Sequence, residues 1–133
     1  MSLRRRRLPE HLEGAGRAFD VLLLRLGRAE AVLTGSVPGT RLPGRPLAET
    51  LWEFEDGLRE VRDGMDDWRS PDIEPEWEAC SRGLDEALAL ADRVRTEGVH
   101  PEGFEGLIGL IGDLLAPLDA FERAAARFRE LRG

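Results

Sequence analysis

The feature that most restricts the fold of this chain is a proline just ahead of a glutamate and a long, regularly spaced apolar stripe. The combination occurs four times, at Pro9-Glu10, Pro46 with Glu49, Pro75-Glu76 and Pro101-Glu102. Proline is favoured at the first position of a helix because its missing N–H would have no intrahelical partner there, and an early carboxylate complements the positive helix end. The sequence therefore predicts four amphipathic helices, over residues of about 9–34, 46–69, 75–97 and 101–132.

Within each predicted helix the apolar residues recur at steps of three and four, the spacing that keeps one face against neighbouring helices. The turns at Ser70-Pro71-Asp72 and Gly98-Val99-His100 are short, which favours antiparallel neighbours, while the connection over residues 35–45 is longer. We predict an all-α fold, an antiparallel up-down-up-down four-helix bundle, formed by a single domain over residues 8–133.

Composition limits the compartment and the chemistry. The chain of 133 residues has one cysteine, Cys80, which excludes an intrachain disulfide and permits a reducing compartment. All 19 basic residues are arginine, and Lys, Asn, Gln and Tyr are absent, a bias that we attribute to a GC-rich genome. The longest run of apolar residues and glycine, Gly106 to Gly112, is too short to span a bilayer. We expect a cytoplasmic protein without a membrane partner.

None of the stripe positions carries a charged side chain or a histidine. Metal and acid–base sites inside helical bundles need carboxylates or imidazoles that project inward, as in the Glu-x-x-His pairs of di-iron bundles. The one such pair here, Glu97 to His100, lies in a turn beside Gly98 and Pro101. We therefore expect no catalytic residue, no metal and no cofactor, and a structural or interaction protein in place of an enzyme.

Acidic residues of the second helix form a regular stripe of their own, at Glu49, Glu53, Asp56, Glu60, Asp63 and Asp67. The segments Glu53-Phe54-Glu55-Asp56 and Glu60-Val61-Arg62-Asp63 superficially resemble the Mg²⁺-binding patterns of all-α nucleotide pyrophosphohydrolases. That resemblance implies an alternative function, Mg²⁺-dependent hydrolysis of nucleotides by these carboxylates. Because the stripe lies opposite the apolar face and has no facing set of oxygen ligands, we prefer a solvated outer surface.

A block of arginines, Arg4, Arg5, Arg6 and Arg7, precedes the first helix. The chain has 26 acidic residues against 19 basic ones, a formal net charge of −7, so the part without this block is more acidic than the whole. An acidic body repels nucleic acid and anionic membranes, and we expect residues 1–7 to be a disordered basic arm. The alternative is that these arginines contact an anion, in a nucleic acid or in an acidic protein partner.

Four glycines spaced by three residues, from Gly103 to Gly112, stand inside the predicted fourth helix. Glycine costs about 1 kcal/mol relative to alanine in a helix interior, so the run needs a physical reason. It leaves a smooth apolar surface away from the stripe, and small residues let a second helix approach closely. We predict a homodimer through the first and fourth helices, at Leu24, Gly106, Ile108, Gly109, Leu110, Gly112, Leu115 and Ala116. The alternative is a loosened segment, kinked at Pro117.

Smaller hypotheses concern single residues. His11 can approach Cys80 and form a Cys–His pair, although a thiol on an apolar stripe is more commonly a packing residue. Trp68 and Trp77 are expected to close one end of the core, and Trp52 lies off the stripe, where it either packs locally or anchors a protein partner. A hydrophobic ligand among the alanines of the third helix is a further alternative.

Overall fold

A computed structural model of the protein describes residues 7–35, 46–98 and 102–132, and the regular secondary structure within these ranges is helical, with no β-strand. The helices are α1 (Glu10–Thr34), α2 (Leu47–Asp63), α3 (Glu74–Glu97), α4 (Gly103–Leu115) and α5 (Ala120–Leu131). Short 3₁₀ turns at Met65–Trp68 and Pro71–Ile73 join α2 to α3, and another at Ala116–Asp119 joins α4 to α5. The all-α prediction is confirmed.

Proline lies within one residue of the first helical position in the first three predicted helices, close to where the sequence places it. Pro9 stands immediately before α1 and accepts a hydrogen bond from the N–H of Leu12. Pro46 does the same for α2, where its carbonyl accepts from Glu49 and Thr50. Pro75 is the second residue of α3, whose first turn leaves N–H groups without intrahelical partners. The fourth start, at position 101, lies outside the described residues.

The core is a single apolar cluster drawn from all five helices and the turns between them. At its centre Phe19 packs edge-on against Trp68, with ring centroids 4.8 Å apart, and lies at the same distance from Phe128. Trp68 is fully buried, whereas Trp77 is half-buried and donates a hydrogen bond of 2.8 Å to the carbonyl of Met65. Aromatic packing therefore ties α1 and α5 to the turn after α2.

Most of the predicted stripe faces the core, with a few local shifts. In α1 the buried residue is Gly16 and not Ala15, and in α5 it is Ala124 and not Ala125. Phe104 is the first residue of the apolar steps in the fourth helix and was therefore expected to face inward, but it is 56% exposed. The shifts are those expected when a helix turns slightly to fit its neighbours.

The predicted fourth helix is broken in two at Pro117. The break places the backbone of the 3₁₀ turn against α3: a β-carbon built on Gly83 would overlap the carbonyl oxygen of Pro117 and lie 3.1 Å from its carbonyl carbon. Only glycine allows so close an approach of two backbones. The prediction of one continuous fourth helix is therefore wrong at Pro117, where the alternative of a kink holds, and the kink brings the turn into backbone contact with α3.

None of the helices in the described ranges combines the length and the apolar character needed to cross a membrane.

Candidate functional site

Helix α4 exposes an apolar surface that nothing else in the described part of the chain covers. Of its 13 residues, only Ile111 and Leu114 are buried. Phe104 is 56% exposed and Ile108 is 42% exposed, whereas the apolar stripes of α1, α2 and α3 are mostly buried. We call this surface the α4 face and define it by Phe104, Ile108, Gly109, Gly112, Leu115 and Ala116.

The residues predicted for an interface are all accessible to some degree. Gly109, Gly112 and Ala116 are exposed, and a β-carbon on either glycine would have no atom of residues 7–35, 46–98 and 102–132 within 4 Å. Three others on the same helix are half-buried: Gly106, Leu110 and Leu115. Because no atom of the described residues occupies the space above Gly109 and Gly112, the backbone of α4 is open to approach by a second helix.

Leu24 is 69% exposed, but it belongs to a different surface. On α1 it lies between Asp20, whose carboxylate is 3.8 Å from the guanidinium of Arg132, and Glu30, which is close enough to Glu122 for their charges to interact. These contacts place Leu24 alongside α5, so it is not level with the glycine run as the sequence suggested. With Val21, 47% exposed, it forms a separate α1 patch.

Within the described ranges the interior contains one charged side chain, that of Glu55, so the expectation drawn from the uncharged stripe positions is wrong at this residue. Its side chain is fully buried at the contact between α2 and α3. Arg95 donates two hydrogen bonds to it, at 2.6 Å from Nε and 3.3 Å from Nη2, and Arg59 lies 3.6 Å away. A buried carboxylate requires such partners because its desolvation is costly. Hydrogen bonding to Glu55 in turn raises the pKa of Arg95.

Trp52 completes this cluster on the outside. Its ring is 51% exposed and has two guanidinium carbons near its centroid, that of Arg95 at 5.0 Å and that of Arg59 at 5.4 Å. Arg95 also donates a hydrogen bond of 2.9 Å to Asp92. Trp52 therefore packs locally against the arginines that neutralise Glu55, and each of these arginines has a carboxylate partner.

A shallow cleft of about 510 Å³ runs beside this cluster, lined by Glu55, Arg59, Arg62, Asp63, Leu88, Ala89 and Asp92. Arg62, which lines the cleft, forms an ion pair with Asp85 of α3. Because its cations are already paired with carboxylates, the cleft offers a ligand little uncompensated charge. The arrangement suits a structural connection between α2 and α3 better than a binding site.

Cys80 and His11 do not form the pair that the sequence allowed. Burial raises the pKa of the Cys80 thiol to about 12, so the thiolate is not available near neutral pH. His11 is instead hydrogen-bonded through Nε2 to Asp72, at 2.9 Å, and this bond lowers the pKa of the Asp72 carboxyl. Both residues have structural roles: Cys80 packs in the core, and His11 ties α1 to the turn before α3. His100 lies outside the described residues.

The two alternative sites lie at the surface or outside the described ranges. Arg4, Arg5 and Arg6 are outside them, and Arg7 is exposed. Of the carboxylates in the two segments compared with Mg²⁺-binding patterns, Glu55 is buried and paired with Arg95. The others lie on exposed or half-exposed positions of α2: Glu53, Asp56, Glu60 and Asp63. Within residues 7–35, 46–98 and 102–132, no group of three or more His, Cys, Asp or Glu side chains is arranged to hold a metal ion.

Comparison of the chain with protein-family models, with curated proteins and with solved structures gave no match. The surfaces themselves are therefore the basis for a functional proposal. Among them the α4 face is the most distinctive, because it exposes large apolar side chains without a covering element in the described part of the chain.

Proposed function

We propose that this protein is a helical interaction module that associates with a second copy of itself through the α4 face. The observation that carries the proposal is the exposure of Phe104 and Ile108 on a helix with only two buried residues. Exposed apolar surface of this kind is typical of protein–protein contacts. The glycines beside these side chains would let two α4 helices approach closely.

The proposed scaffold is an antiparallel up-down-up-down four-helix bundle in which α4 and α5 form the last arm. Pairs of contacts support antiparallel neighbours because the partner's number falls as the residue number rises. Across α1 and α2, Ala29 lies against Gly57 and Leu22 against Gly64. Across α2 and α3, Glu55 pairs with Arg95 and Arg62 with Asp85. The same falling order of partner numbers holds for the contacts of α1 with α5, and for those of α3 with α5 and the turn before it.

Charge favours a second copy at this face. The chain carries a formal net charge of −7, so two copies repel each other over most of their surface. Residues 106–112 form the longest stretch of apolar residues and glycine, and the only charged residues of α4 are Glu105 and Asp113. Only Glu105 of these two falls within the α4 face, one helical turn before Gly109, so two acidic chains can meet here with less like-charge contact than elsewhere on their surface. A two-fold symmetric contact would bury the α4 face on both copies at once.

The size of the face sets the expected strength. A helix of 13 residues is about 20 Å long and roughly 10 Å wide, a strip well below the ~800 Å² per partner of a standard interface. We therefore expect a weak dimer, with a dissociation constant of tens of micromolar or more.

Sedimentation velocity across a concentration series tests this function. Between about 5 and 500 µM the wild-type mass should rise from 14.8 kDa towards twice that value. Ile108→Glu and Gly109→Glu should hold the mass at the monomer value, because each places a carboxylate on the contact. A monomer at every concentration, or variants that associate like the wild type, would remove the proposal.

Leu24→Glu is the matched control, since it adds the same charge to the separate α1 patch. If α4 alone mediates association, Leu24→Glu should dimerise like the wild type. If Leu24→Glu abolishes association and Ile108→Glu does not, the interface lies on α1 and the assignment to α4 is wrong.

A further inference from the structure

A second cleft, of about 420 Å³, lies between α3 and α5, with a lining distinct from the α4 face. Its apolar lining consists of a proline and two alanines, Pro75, Ala79 and Ala126, and its charged lining of Glu76, Arg123, Arg127 and Glu130. The volume is within the range of small-molecule sites. Small apolar residues with charges of both signs around them are a suitable setting for a compact ligand that carries both charges.

Glu76 has an incompletely satisfied carboxylate in this cleft. Its Oε2 atom is shielded from solvent and has no hydrogen-bond partner among the described residues. Its Oε1 atom is 4.0 Å from Nε of Arg127, beyond hydrogen-bond distance, and Arg127 also pairs with Glu130 at 3.1 Å. Buried carboxylate oxygens ordinarily accept hydrogen bonds, and this one accepts none from the described residues. Because 24% of the Glu76 side chain remains exposed, a donor in the cleft can reach the carboxylate through its accessible part.

Arg123 provides the opposite charge. Within the described ranges it has no ion-pair partner, unlike Arg127 beside it. Both Glu76 and Arg123 lie close enough to the buried Cys80 to change the pKa of its thiol. Burial has the largest effect and raises this pKa; the charge of Arg123 lowers it, and the charge of Glu76 raises it. The unpaired guanidinium and the unsatisfied carboxylate are therefore near each other, in one cleft.

We propose that this cleft binds a small aliphatic amino acid as its zwitterion. The ammonium group donates to Glu76, the carboxylate accepts from Arg123, and the aliphatic part covers Pro75, Ala79 and Ala126. Charge-assisted hydrogen bonds at both ends would select molecules that carry both groups. None of the lining residues belongs to α4, so the failure of this proposal would leave the proposed self-association unaffected, and the reverse also holds.

Isothermal titration calorimetry of the full chain tests the site with two probes, L-valine and 4-aminobutyrate, whose charged groups are differently spaced. At least one should bind saturably. N-acetyl-L-valine and L-valinamide, which each lack one charge, should bind at least tenfold more weakly. No saturable binding by either probe at concentrations up to about 50 mM, near the weak limit of specific association, would overturn the proposal.

Variants connect any binding to this cleft. Glu76→Gln and Arg123→Gln should weaken binding by roughly 10- to 100-fold, the effect of losing one charge-assisted hydrogen bond. Ala79→Leu, which fills the apolar part and leaves both charges, should abolish it. Glu86→Gln and Arg129→Gln, on exposed positions of α3 and α5, are the controls and should bind like the wild type. Binding that survives all three cleft variants would show that the amino acid occupies another place.

Discussion

The buried carboxylate of Glu55 and the guanidinium of Arg95 are joined by two hydrogen bonds, 2.6 and 3.3 Å long, across the contact between α2 and α3. Glu55 is fully buried, and the Arg95 side chain retains about a quarter of its exposure, at 23%. An ion pair in this setting adds little net stability over an apolar pair, but an unpaired carboxylate there is strongly unfavourable. The pair therefore favours one alignment of α2 against α3.

Removal of Arg95 should expose that cost. We expect Arg95→Ala to lower the free energy of unfolding by about 2–3 kcal/mol, somewhat less than for a fully buried pair, because Arg59 remains 3.6 Å from Glu55. Urea denaturation followed by circular dichroism measures the change. Glu55→Gln in the Arg95→Ala background should restore part of the loss, because it removes the buried charge.

Arg93→Ala is the control for this prediction. Arg93 is exposed on the same helix, and its replacement should change stability by no more than about 0.5 kcal/mol. Equal effects of Arg93→Ala and Arg95→Ala would contradict a special role for the pair with Glu55.

Gly83→Ala should be destabilising although alanine is the better helix former. Its β-carbon would overlap the backbone carbonyl of Pro117, which cannot move without shifting α3 or the 3₁₀ turn. Overpacking of this kind costs roughly 1–3 kcal/mol. Gly14→Ala in α1, where the new β-carbon has no atom of the described part of the chain within 4 Å, should instead gain about 0.5–1 kcal/mol. Thermal unfolding of the two variants should shift in opposite directions, and a gain for both would show that Gly83 has room.

The helices were predictable because their signals are local. Proline near each start, carboxylates in the first turns and apolar steps of three and four do not depend on which helices become neighbours. The contact between Gly83 and Pro117 does depend on it, since it joins residues 34 positions apart. Periodicity alone therefore predicted one continuous helix, and Pro117 offered a kink as the alternative, but neither signal shows which backbone the kink meets.

The surfaces were predictable to different degrees. The outward glycines of α4 follow from their spacing, and their exposure agrees with it. Glu55 was not among the positions predicted to face inward, because a carboxylate is ordinarily solvated. It nevertheless falls in line with Leu51 and Leu58, at steps of four and three, and both of these are buried. That alignment was the available signal. The identity of its partner required the position of α3, which brings Arg95 beside it.

Glu30 should make stability depend on pH. Burial, and then the charges of Glu122 and Asp119, raise the pKa of its carboxyl above the usual 4.5. The folded state therefore binds this proton more tightly than the unfolded chain, and the free energy of unfolding falls as pH rises through the folded-state pKa. We expect Glu30→Gln to be more stable than the wild type at pH 7, by up to about 1 kcal/mol, since partial exposure screens the repulsion.

The gain from Glu30→Gln should disappear below pH 4.5, where the carboxyl is protonated in both states. Urea denaturation at pH 7 and pH 4 compares the two conditions, and Glu60→Gln on the exposed face of α2 is the control. A gain of the same size at both pH values would mean that side-chain packing, and not charge, is responsible.

Trp68 should tolerate phenylalanine better than its complete burial suggests. Its indole Nε1 is shielded from solvent and has no hydrogen-bond acceptor within the described part of the chain, an arrangement that costs about 1–3 kcal/mol. Trp68→Phe removes this unsatisfied donor and leaves a small cavity, which costs about 1 kcal/mol at roughly 24 cal/mol per Å³. The two terms nearly offset each other, so we expect the free energy of unfolding to change by less than about 1 kcal/mol. Trp68→Ala, which also removes the ring that packs against Phe19, should cost about 3–5 kcal/mol. Urea denaturation of both variants decides the matter: if Trp68→Phe is nearly as damaging as Trp68→Ala, the indole N–H has a partner in the folded protein and the cost assigned to it is wrong.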